Sequence, residues 1–516
     1  MMPQMELNPA NLEILWTRLV SMVDEAAATL VRTSFSSVVR ECNDYAVVLL
    51  DENGRLLSQS TFSIPSFIGT LPSTVRHVLK EFPPETLKPD DVFITNDPWI
   101  GTGHLPDINI VVPIFKDNRM VALSATVAHS ADIGGRLRSP GIRELFEEGL
   151  RIPPLKLLHA GKTDPAVERI IRSNVRVPEQ VMGDIWAQVS ANRMLAGRLC
   201  NLLEETKINL NRLGKEIRSR SEAAMRSAIA DIPNGEYRHR LSVDGFTDPI
   251  VIQLKIVVED ARIYLDYTGS SPQLPRAINV VPNYTFAYSA YALKSILSPD
   301  IPNNEGSFQP IEVFAPIGTI LNPRFPAPVG ARAMTGHLLP PAIMGALSRV
   351  VPDKVVAAPG SPLWAFHLSG EHQGQPFAFV SFLNGGMGAS SYRDGLPAIS
   401  FPSNLGNTPI EVTESRVPAA VIRKALRRNT GGKGRHTGGD GQTFEFEILG
   451  DSQVTISFMA NRLEYPAEGL LGGKPGAAGA VLLNGDPLDP KEHSVLSPGD
   501  RITLSTPGGG GFGAAD

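Results

Sequence analysis

The chain has 516 residues, 42% of them apolar and 20% charged, a globular composition that excludes general disorder and suggests about three domains at ~150 residues each. Its formal net charge of −5, from 48 basic and 53 acidic residues, leaves no global basic field, so neither nucleic acid nor an anionic membrane is expected as a partner. Two cysteines, Cys42 and Cys200, exclude a disulfide framework and fit a reducing, cytoplasmic compartment.

In chain order, the start, MMPQMELNP, lacks a basic stretch leading into an apolar one, so no secretory leader is expected. Asn8-Pro9 reads as a helix cap followed by proline in the first turn. Leu12, Leu15, Trp16, Leu19, Met22, Val23, Ala26 and Leu30 then mark one helix face. Two apolar runs flank Glu52-Asn53-Gly54, a hairpin signal. Short strands follow at 91–95, 108–115 and 120–128, and Pro113 points to an edge strand or a bulge. From 178 to 229 Gly and Pro almost vanish, which predicts one or two long helices with a solvated charged face or, alternatively, a partner-binding one. A hairpin is expected over 250–269, an irregular Gly/Pro-rich stretch over 270–440, and alternating strands in the tail. The fold class expected is α+β and multi-domain. The regions are 1–160 (mixed α/β, carrying the candidate site), 161–232 (helical), 233–440 (mixed, β-rich, Gly/Pro-rich) and 441–516 (β). No run of apolar residues approaches the ~20 of a membrane span.

The sharpest cluster of chemistry is Asn96-Asp97-Pro98-Trp99-Ile100-Gly101-Thr102-Gly103-His104-Leu105-Pro106-Asp107, followed by Ala128-His129-Ser130-Ala131-Asp132. Pro106 disfavours a helix, so His104 and Asp107 belong on a turn entering a strand. A three-residue hairpin loop, 117–119, would place Asp107 directly opposite His129, with Cβ atoms ~5 Å apart. A two-residue loop would shift the register by one and turn the two side chains to opposite faces. The first register makes a His/Asp/His set with ligand chemistry for Zn, Mn or Fe(II). Asp132, Asp97 and Asp44 are candidates for a fourth ligand or a supporting role. The alternative is a set of turn-forming aspartates and hydrogen-bonded histidines. His77, His159 and His436 read as surface residues.

The glycine stretches Asn384-GGMGAS, Thr430-GGKGRHTGGDG, Gly472-Gly473-Lys474 and Thr506-PGGGGFG fail the nucleotide-binding patterns. They read as tight turns, with Gly432 to Arg435 and Arg428 as an alternative anion cradle. Neither a G-x-S-x-G nor a catalytic-cysteine motif is present.

These residues resemble the hydantoinase B/oxoprolinase family, which includes the B-type components of N-methylhydantoinases, the C-terminal half of 5-oxoprolinase, and the large subunits of acetone and acetophenone carboxylases. The resemblance runs through Arg32-Thr33-Ser34, Asp44, Asp51-ENGRLLSQ, Ile64-PSFIGTLP, Asn96-DPWIGTGHLPDI, His129-SADIGG, Glu148-GLRIPPLKL, Asn384-GGMGASSYRDG, Phe401-PSNLGNTPIEVTE and Thr506-PGGGGFG. It implies one component of a hetero-oligomeric, ATP-dependent enzyme: an A-type subunit of actin-like ATPase fold uses ATP to phosphorylate a cyclic amide, and the B-type chain completes the hydrolysis. It also implies a divalent transition metal (Zn, Mn or Fe) on His104, Asp107 and His129, with Asp44 as a further ligand. Asp132 or Asp44 would orient a ligand or accept a proton. The alternatives are a component of a ketone carboxylase and a non-catalytic scaffold for the ATPase. The chain departs from the family pattern at Phe67-Ile68-Gly69, at Ser130 after His129, and at Tyr45-Ala46 after Asp44, which bears on the substrate more than on the metal set.

Overall fold

The computed structural model describes residues 7–360 and 363–515. The first six residues, on which the expectation of no leader largely rests, lie outside the described residues. The chain opens with helix α1 (Pro9–Thr33), capped by Asn8, whose side chain accepts from the Asn11 N–H at 2.9 Å. Its apolar face is buried from Leu12 to Leu30, as the spacing predicts. Helix α2 (Ser37–Arg40) leads to β1 (Tyr45–Asp51) and β2 (Leu56–Gln59), the hairpin signalled by Asn53-Gly54. Helix α3 (Thr70–Glu81) precedes β3 (Val92–Thr95), β4 (Asp107–Lys116), β5 (Arg119–His129), β6 (Leu155–His159) and β7 (Lys162–Thr163). These strands form one antiparallel sheet in the order β2-β1-β5-β4-β3-β6-β7. β1 is buried along its whole length. Val47 and Leu49 join the core of α1, while Ala46, Val48 and Leu50 join the larger core on the other face, which is why it reads as an unbroken apolar run.

The β4–β5 hairpin settles the register. Its turn has two residues, Asp117 and Asn118, both left-handed at φ 51° and 59°. This is the loop length expected to separate Asp107 from His129, yet the two are directly paired. A β-bulge between Ile114 and Phe115 inserts Val121, restoring the register after two pairs. Pro113 does not mark an edge strand: β4 lies inside the sheet, but β3 pairs with it only as far as Val111. No neighbouring strand on that side needs the missing N–H.

Helix α4 (Pro165–Asn174) is followed by the expected long helical stretch as two helices, α5 (Pro178–Thr206) and α6 (Leu210–Ala230). They part at Lys207, in a left-handed conformation. α5 packs on α1, β4 and β5, so it roofs the sheet. A second sheet, in the order β11-β10-β9-β8, contains β8 (Gly235–Val243), β9 (Ile250–Glu259), β10 (Arg262–Asp266) and β11 (Ile311–Phe314). Helix α7 (Pro282–Leu297) crosses between β10 and the parallel β11, and the short helices α8 (Ala333–Gly336) and α9 (Leu339–Leu347) follow.

The remaining strands are β12 (Trp364–His372), β13 (Gln375–Leu383), β14 (Ala419–Arg427), β15 (Gly441–Ile448), β16 (Val454–Met459), β17 (Ala480–Leu483), β18 (Asp486–Pro487), β19 (Ser494–Leu496) and β20 (Arg501–Ser505), with helix α10 (Ile410–Arg416) before β14. They make two sheets, β13-β12-β16-β19 and β14-β15-β20-β17-β18. The two share one aromatic core, where the Phe366 ring lies 5.1 Å from Phe446 and 5.8 Å from Phe444.

The stretch 270–440, expected to be irregular, therefore holds a 16-residue helix and three long strands. α7 escapes periodicity because it is buried nearly all round, from Tyr284 to Leu297. The expected boundary at 440/441 falls between β14 and β15, paired neighbours in one sheet, and that at 160/161 falls in the turn between β6 and β7. Among the described residues no helix is long and apolar enough to cross a membrane.

Of the glycine stretches, Gly472-Gly473 closes a tight turn, with the Gly473 N–H on the Leu470 carbonyl at 2.9 Å and Gly472 at φ 100°, but the stretches as a group are not mainly turns. They lie backbone against backbone, joined by N–H to carbonyl bonds from Gly386 to Pro507 (3.0 Å), Gly439 to Met387 (2.8 Å), Gly509 to Gly439 (2.9 Å), Gly432 to Gly509 (2.8 Å) and Gly511 to Lys474 (2.9 Å). A Cβ on Gly386 would sit 1.7 Å from the Gly439 carbonyl oxygen, and one on Gly508 1.8 Å from that of Thr430. Glycine is required here because backbones touch. The Gly432 and Arg435 N–H groups are spent on Gly509 and Gly513 carbonyls, which removes these two donors from the anion cradle considered from the sequence.

Candidate metal centre

The loop before β4 is fixed by its own first residues. Asn96 accepts from the Ile152 N–H at 2.6 Å and donates to the Leu105 and Leu150 carbonyls at 2.7 and 2.9 Å. Asp97 accepts from the Trp99 N–H at 3.0 Å and pairs with Arg151. Gly103 has φ 102°, and a Cβ there would meet the Arg332 side chain at 3.0 Å. This loop delivers His104 beside Asp107, while strand pairing delivers His129.

The three side chains converge in the interior, each no more than 3% exposed. Asp107 Oδ1 lies 2.8 Å from His104 Nε2 and 3.1 Å from His129 Nδ1. Its Oδ2 accepts from the Arg332 guanidinium at 2.7 Å. Arg332 is itself buried and lies over the Tyr284 ring, 4.2 Å from its centroid. Burial opposes the charge on Asp107, but the imidazoles and Arg332 hold its carboxyl well below the usual range. Burial and Arg332 drive His104 well below its ordinary pKa, and burial lowers His129 to about 4.

This leaves an unsatisfied geometry. His104 Nδ1 lies 3.1 Å from the Gly330 carbonyl, which only accepts, so Nδ1 carries the proton. In the neutral ring, Nε2 then aims a lone pair at a carboxylate oxygen 2.8 Å away. Two acceptors that close need a proton or a metal cation between them. The ligand atoms of His104, Asp107 and His129 all lie within 4.8 Å of one another, a set able to hold a metal ion.

Asp44 lies just before β1, beside His129. Its Oδ2 is 3.8 Å from His129 Nδ1, and its Oδ1 is buried without a partner among the described residues. Burial, with Asp107 nearby, raises its carboxyl to about 8. Asp132 is not brought into the set: Arg176 and the Gly134 N–H hold its carboxylate. Both Asp132 and His129 line a small cavity of about 50 Å³, together with Arg138, Glu148, Arg176 and His367. Asp97 is held by Arg151 and so belongs to the loop's scaffold. Of the histidines read as surface residues, His77 and His159 are exposed and His436 is half-buried.

Sequence reasoning missed Arg332, Arg138, Glu148 and His367. Arg138 lies 3.4 Å from His129 Nε2, and burial with Arg332 lowers its pKa to about 10. Burial raises Glu148 to about 8. Arg332 and His367 come from distant parts of the chain, Arg332 standing 225 positions from Asp107, where no local pattern marks them.

A buried His/Asp/His set with a paired arginine, built on an antiparallel sheet of a multi-domain α+β chain, has the donor chemistry of a metalloenzyme centre. The chain belongs to the hydantoinase B/oxoprolinase family, whose sequence profile matches residues 8–515. It is 30% identical to the B-type component of a putative D-/L-hydantoinase from a Pseudomonas strain, over 98% of this chain and 90% of that protein. Its structure is similar to that of an ATP-dependent caprolactamase from Pseudomonas jessenii, with a TM-score of 0.89 and 26% identity over 98% of this chain and 91% of the other. The fold also matches an acetone carboxylase, with a TM-score of 0.89 and 21% identity over 98% of this chain and 76% of that one.

Proposed function

We propose that the chain is the B-type component of an ATP-dependent cyclic amide hydrolase, working with an A-type ATPase subunit on a lactam or hydantoin. The observation that carries this reading is the convergence of His104, Asp107 and His129, with a lone pair facing a carboxylate across 2.8 Å. Support comes from the likeness to the B-type component of a putative hydantoinase and to an ATP-dependent caprolactamase.

His104 Nε2, Asp107 Oδ1 and His129 Nδ1 would hold a divalent transition metal, with Asp44 supplying a further oxygen. Such an ion lowers the pKa of a bound water toward ~7 and polarises an attacked carbon's substituents. Arg332 keeps Asp107 ionised and pointed inward, and Gly330 keeps the His104 proton on Nδ1. To offer Nδ1 to such an ion, His129 would carry its proton on Nε2, the nitrogen that faces the Arg138 guanidinium at 3.4 Å. Asp44, 3.8 Å from His129 Nδ1, would serve either as that further ligand or, when ionised, as a proton acceptor, and Asp132, fixed by Arg176, lines the cavity where it would orient a ligand. In the net reaction, cyclic amide, ATP and two water molecules give the ring-opened acid (an amino acid from a lactam, an N-carbamoyl amino acid from a hydantoin), ADP and phosphate. Phosphorylation by the partner makes the resonance-stabilised amide carbon attackable.

The test is turnover of the chain reconstituted with its A-type partner, comparing ATP consumption with hydantoins, with 5-oxoproline and with ketones plus bicarbonate. Turnover on a cyclic amide supports the reading. Turnover only on a ketone replaces it with the carboxylase alternative, and ATP turnover unaffected by variants of this chain would leave it a scaffold.

Two expected outcomes follow from the same geometry. His104→Ala combined with His129→Ala removes both nitrogen donors and leaves only carboxylates, so elemental analysis of the purified chain should find metal at background levels. The isolated chain should show no ATP binding by calorimetry. Its glycine stretches match no nucleotide-binding pattern, and the Gly432 and Arg435 N–H groups are already bonded within the packed glycine segments.

A further inference from the structure

His104 owes its geometry to a carbonyl that nothing in its own loop fixes. Gly330 lies in a segment without regular structure, Pro326-Ala327-Pro328-Val329-Gly330-Ala331. Such a segment has no ladder to hold its polar groups, and each buried N–H needs a partner. Two of those partners are one atom. Glu148 Oε1 accepts from the Val329 N–H at 2.6 Å and from the Gly330 N–H at 2.7 Å. The Gly330 carbonyl, on the next peptide, then receives the His104 Nδ1 proton at 3.1 Å.

The geometry points to Glu148 as the positioning residue of the candidate metal centre: by clamping the peptides around Gly330 it fixes the His104 tautomer that leaves Nε2 free for a cation.

The clamp is built closely. Glu148 is 5% exposed, and a Cβ on Gly330 would lie 3.2 Å from the Glu148 carboxyl carbon and 3.3 Å from Oε1, so glycine is what allows the approach. The peptide that carries the Gly330 carbonyl is also held at its own N–H, which Ala331 donates to the Ala277 carbonyl at 2.7 Å, so Glu148 sets the approach to that peptide and Ala277 its far side. Asn279 donates to the Pro328 carbonyl at 2.9 Å. The turn carrying Glu148 is stitched to the same segment by the Leu145 N–H and the Pro326 carbonyl at 3.1 Å. Glu148 thus holds the two N–H groups that lead into the carbonyl His104 reads. Its second oxygen, Oε2, has no partner among the described residues, so Oε1 alone does the holding, as an acceptor of two N–H groups. A glutamine reproduces that: its amide oxygen accepts both N–H groups, and its NH₂ takes the place of the unpartnered oxygen.

The inference rests on the reading that His104, Asp107 and His129 hold a divalent cation, and the experiment reads the two separately. Zn²⁺ and Mn²⁺ affinities of the full chain are measured by competition with a chromophoric chelator. The His104 tautomer is read by ¹⁵N NMR of the metal-free, histidine-labelled chain. Glu148→Gln should stay within about threefold of the wild-type affinity with Nδ1 still protonated. Glu148→Ala should lose ~10–100-fold in affinity, as outer partners of metal-bound histidines do, and should lose the single Nδ1–H form. Gly330→Ala, which presses on the same contact, should move both readouts in the same direction and serves if Glu148→Ala does not fold. Wild-type affinity with an unchanged tautomer in Glu148→Ala would overturn the assignment. So would equal losses in the Gln and Ala variants, since Gln keeps the acceptor. If the wild-type chain binds neither ion, the metal reading fails, while the tautomer comparison still decides the role of Glu148.

Discussion

Asp107→Asn is expected to lower both metal affinity and stability, and to reduce turnover of the reconstituted enzyme by at least about 100-fold, beyond the ~10–100-fold typical of outer-shell changes. From sequence alone the change looks gentle, because Asn is nearly isosteric and suits a turn. The structure alters that expectation. Asp107 is 1% exposed, and its carboxylate answers three groups at once: Arg332 on Oδ2, and His104 and His129 on Oδ1. An amide has one oxygen. Turned toward the histidines, it points its NH₂ at the Arg332 donors; turned toward Arg332, it fills the cation position with N–H. Either way Arg332 is left as a buried, uncompensated charge, a loss of about 3–5 kcal/mol for a broken buried pair. A thermal melt and a zinc titration check this together. The double variant Asp107→Asn with Arg332→Gln removes the orphaned charge, so it should recover much of the melting temperature and none of the turnover. Recovery of turnover would show Asp107 to be structural.

Gly386→Ala or Gly508→Ala should prevent the C-terminal strands from assembling. An added Cβ would stand 1.7 Å from the Gly439 oxygen in the first case and 1.8 Å from the Thr430 oxygen in the second. Overpacking among side chains costs about 1–3 kcal/mol because rotamers can yield. Here the obstacle is backbone, itself bonded to a third segment through the Gly509 N–H and the Gly439 carbonyl. The expected cost exceeds that range, and most of the variant protein should be insoluble or lack near-UV dichroism. Gly197→Ala is the control. That residue lies on the partly exposed side of α5, and a methyl group added there would have nothing within 4 Å. The change should raise stability by up to about 1 kcal/mol through helix propensity. Equal melting temperatures for Gly386→Ala and the wild type would refute the packing described.

The local signals in the sequence were reliable where the physics is local. The Asn8 cap, the hairpins at Asn53-Gly54 and between β9 and β10, and the face of α1 from Leu12 to Leu30 each depend on residues a few positions apart. Those signals were also enough to single out His104, Asp107 and His129, since all three lie at or beside the ends of two adjacent strands. Even so, their pairing was legible only as one of two registers. The two-residue turn would have separated Asp107 from His129, and the bulge at Val121 reunites them. The bulge falls beside Pro113, which the sequence marked as an edge strand or a bulge, but a proline alone does not say which residue of the facing strand is left unpaired.

What surrounds the three ligands was decided by tertiary structure alone. Arg332 is 225 residues from Asp107 and Glu148 is 182 from Gly330, so no periodicity connects them; only the packing of the second sheet and its crossover segment against the first brings them within hydrogen-bond reach. The role of the glycine stretches was hidden for a related reason. Their sequences suggest turns because glycine permits positive φ, but here its use is the missing side chain, which lets four distant segments touch backbone to backbone. The sequence by itself determined helix α1, the α5–α6 stretch, the β1–β2 and β9–β10 hairpins and the identity of the candidate ligands, because those follow from neighbours along the chain. Tertiary structure decided the register that pairs the ligands, the charge that balances Asp107 and the acceptor that orients His104, because each depends on groups that meet only once the chain has folded.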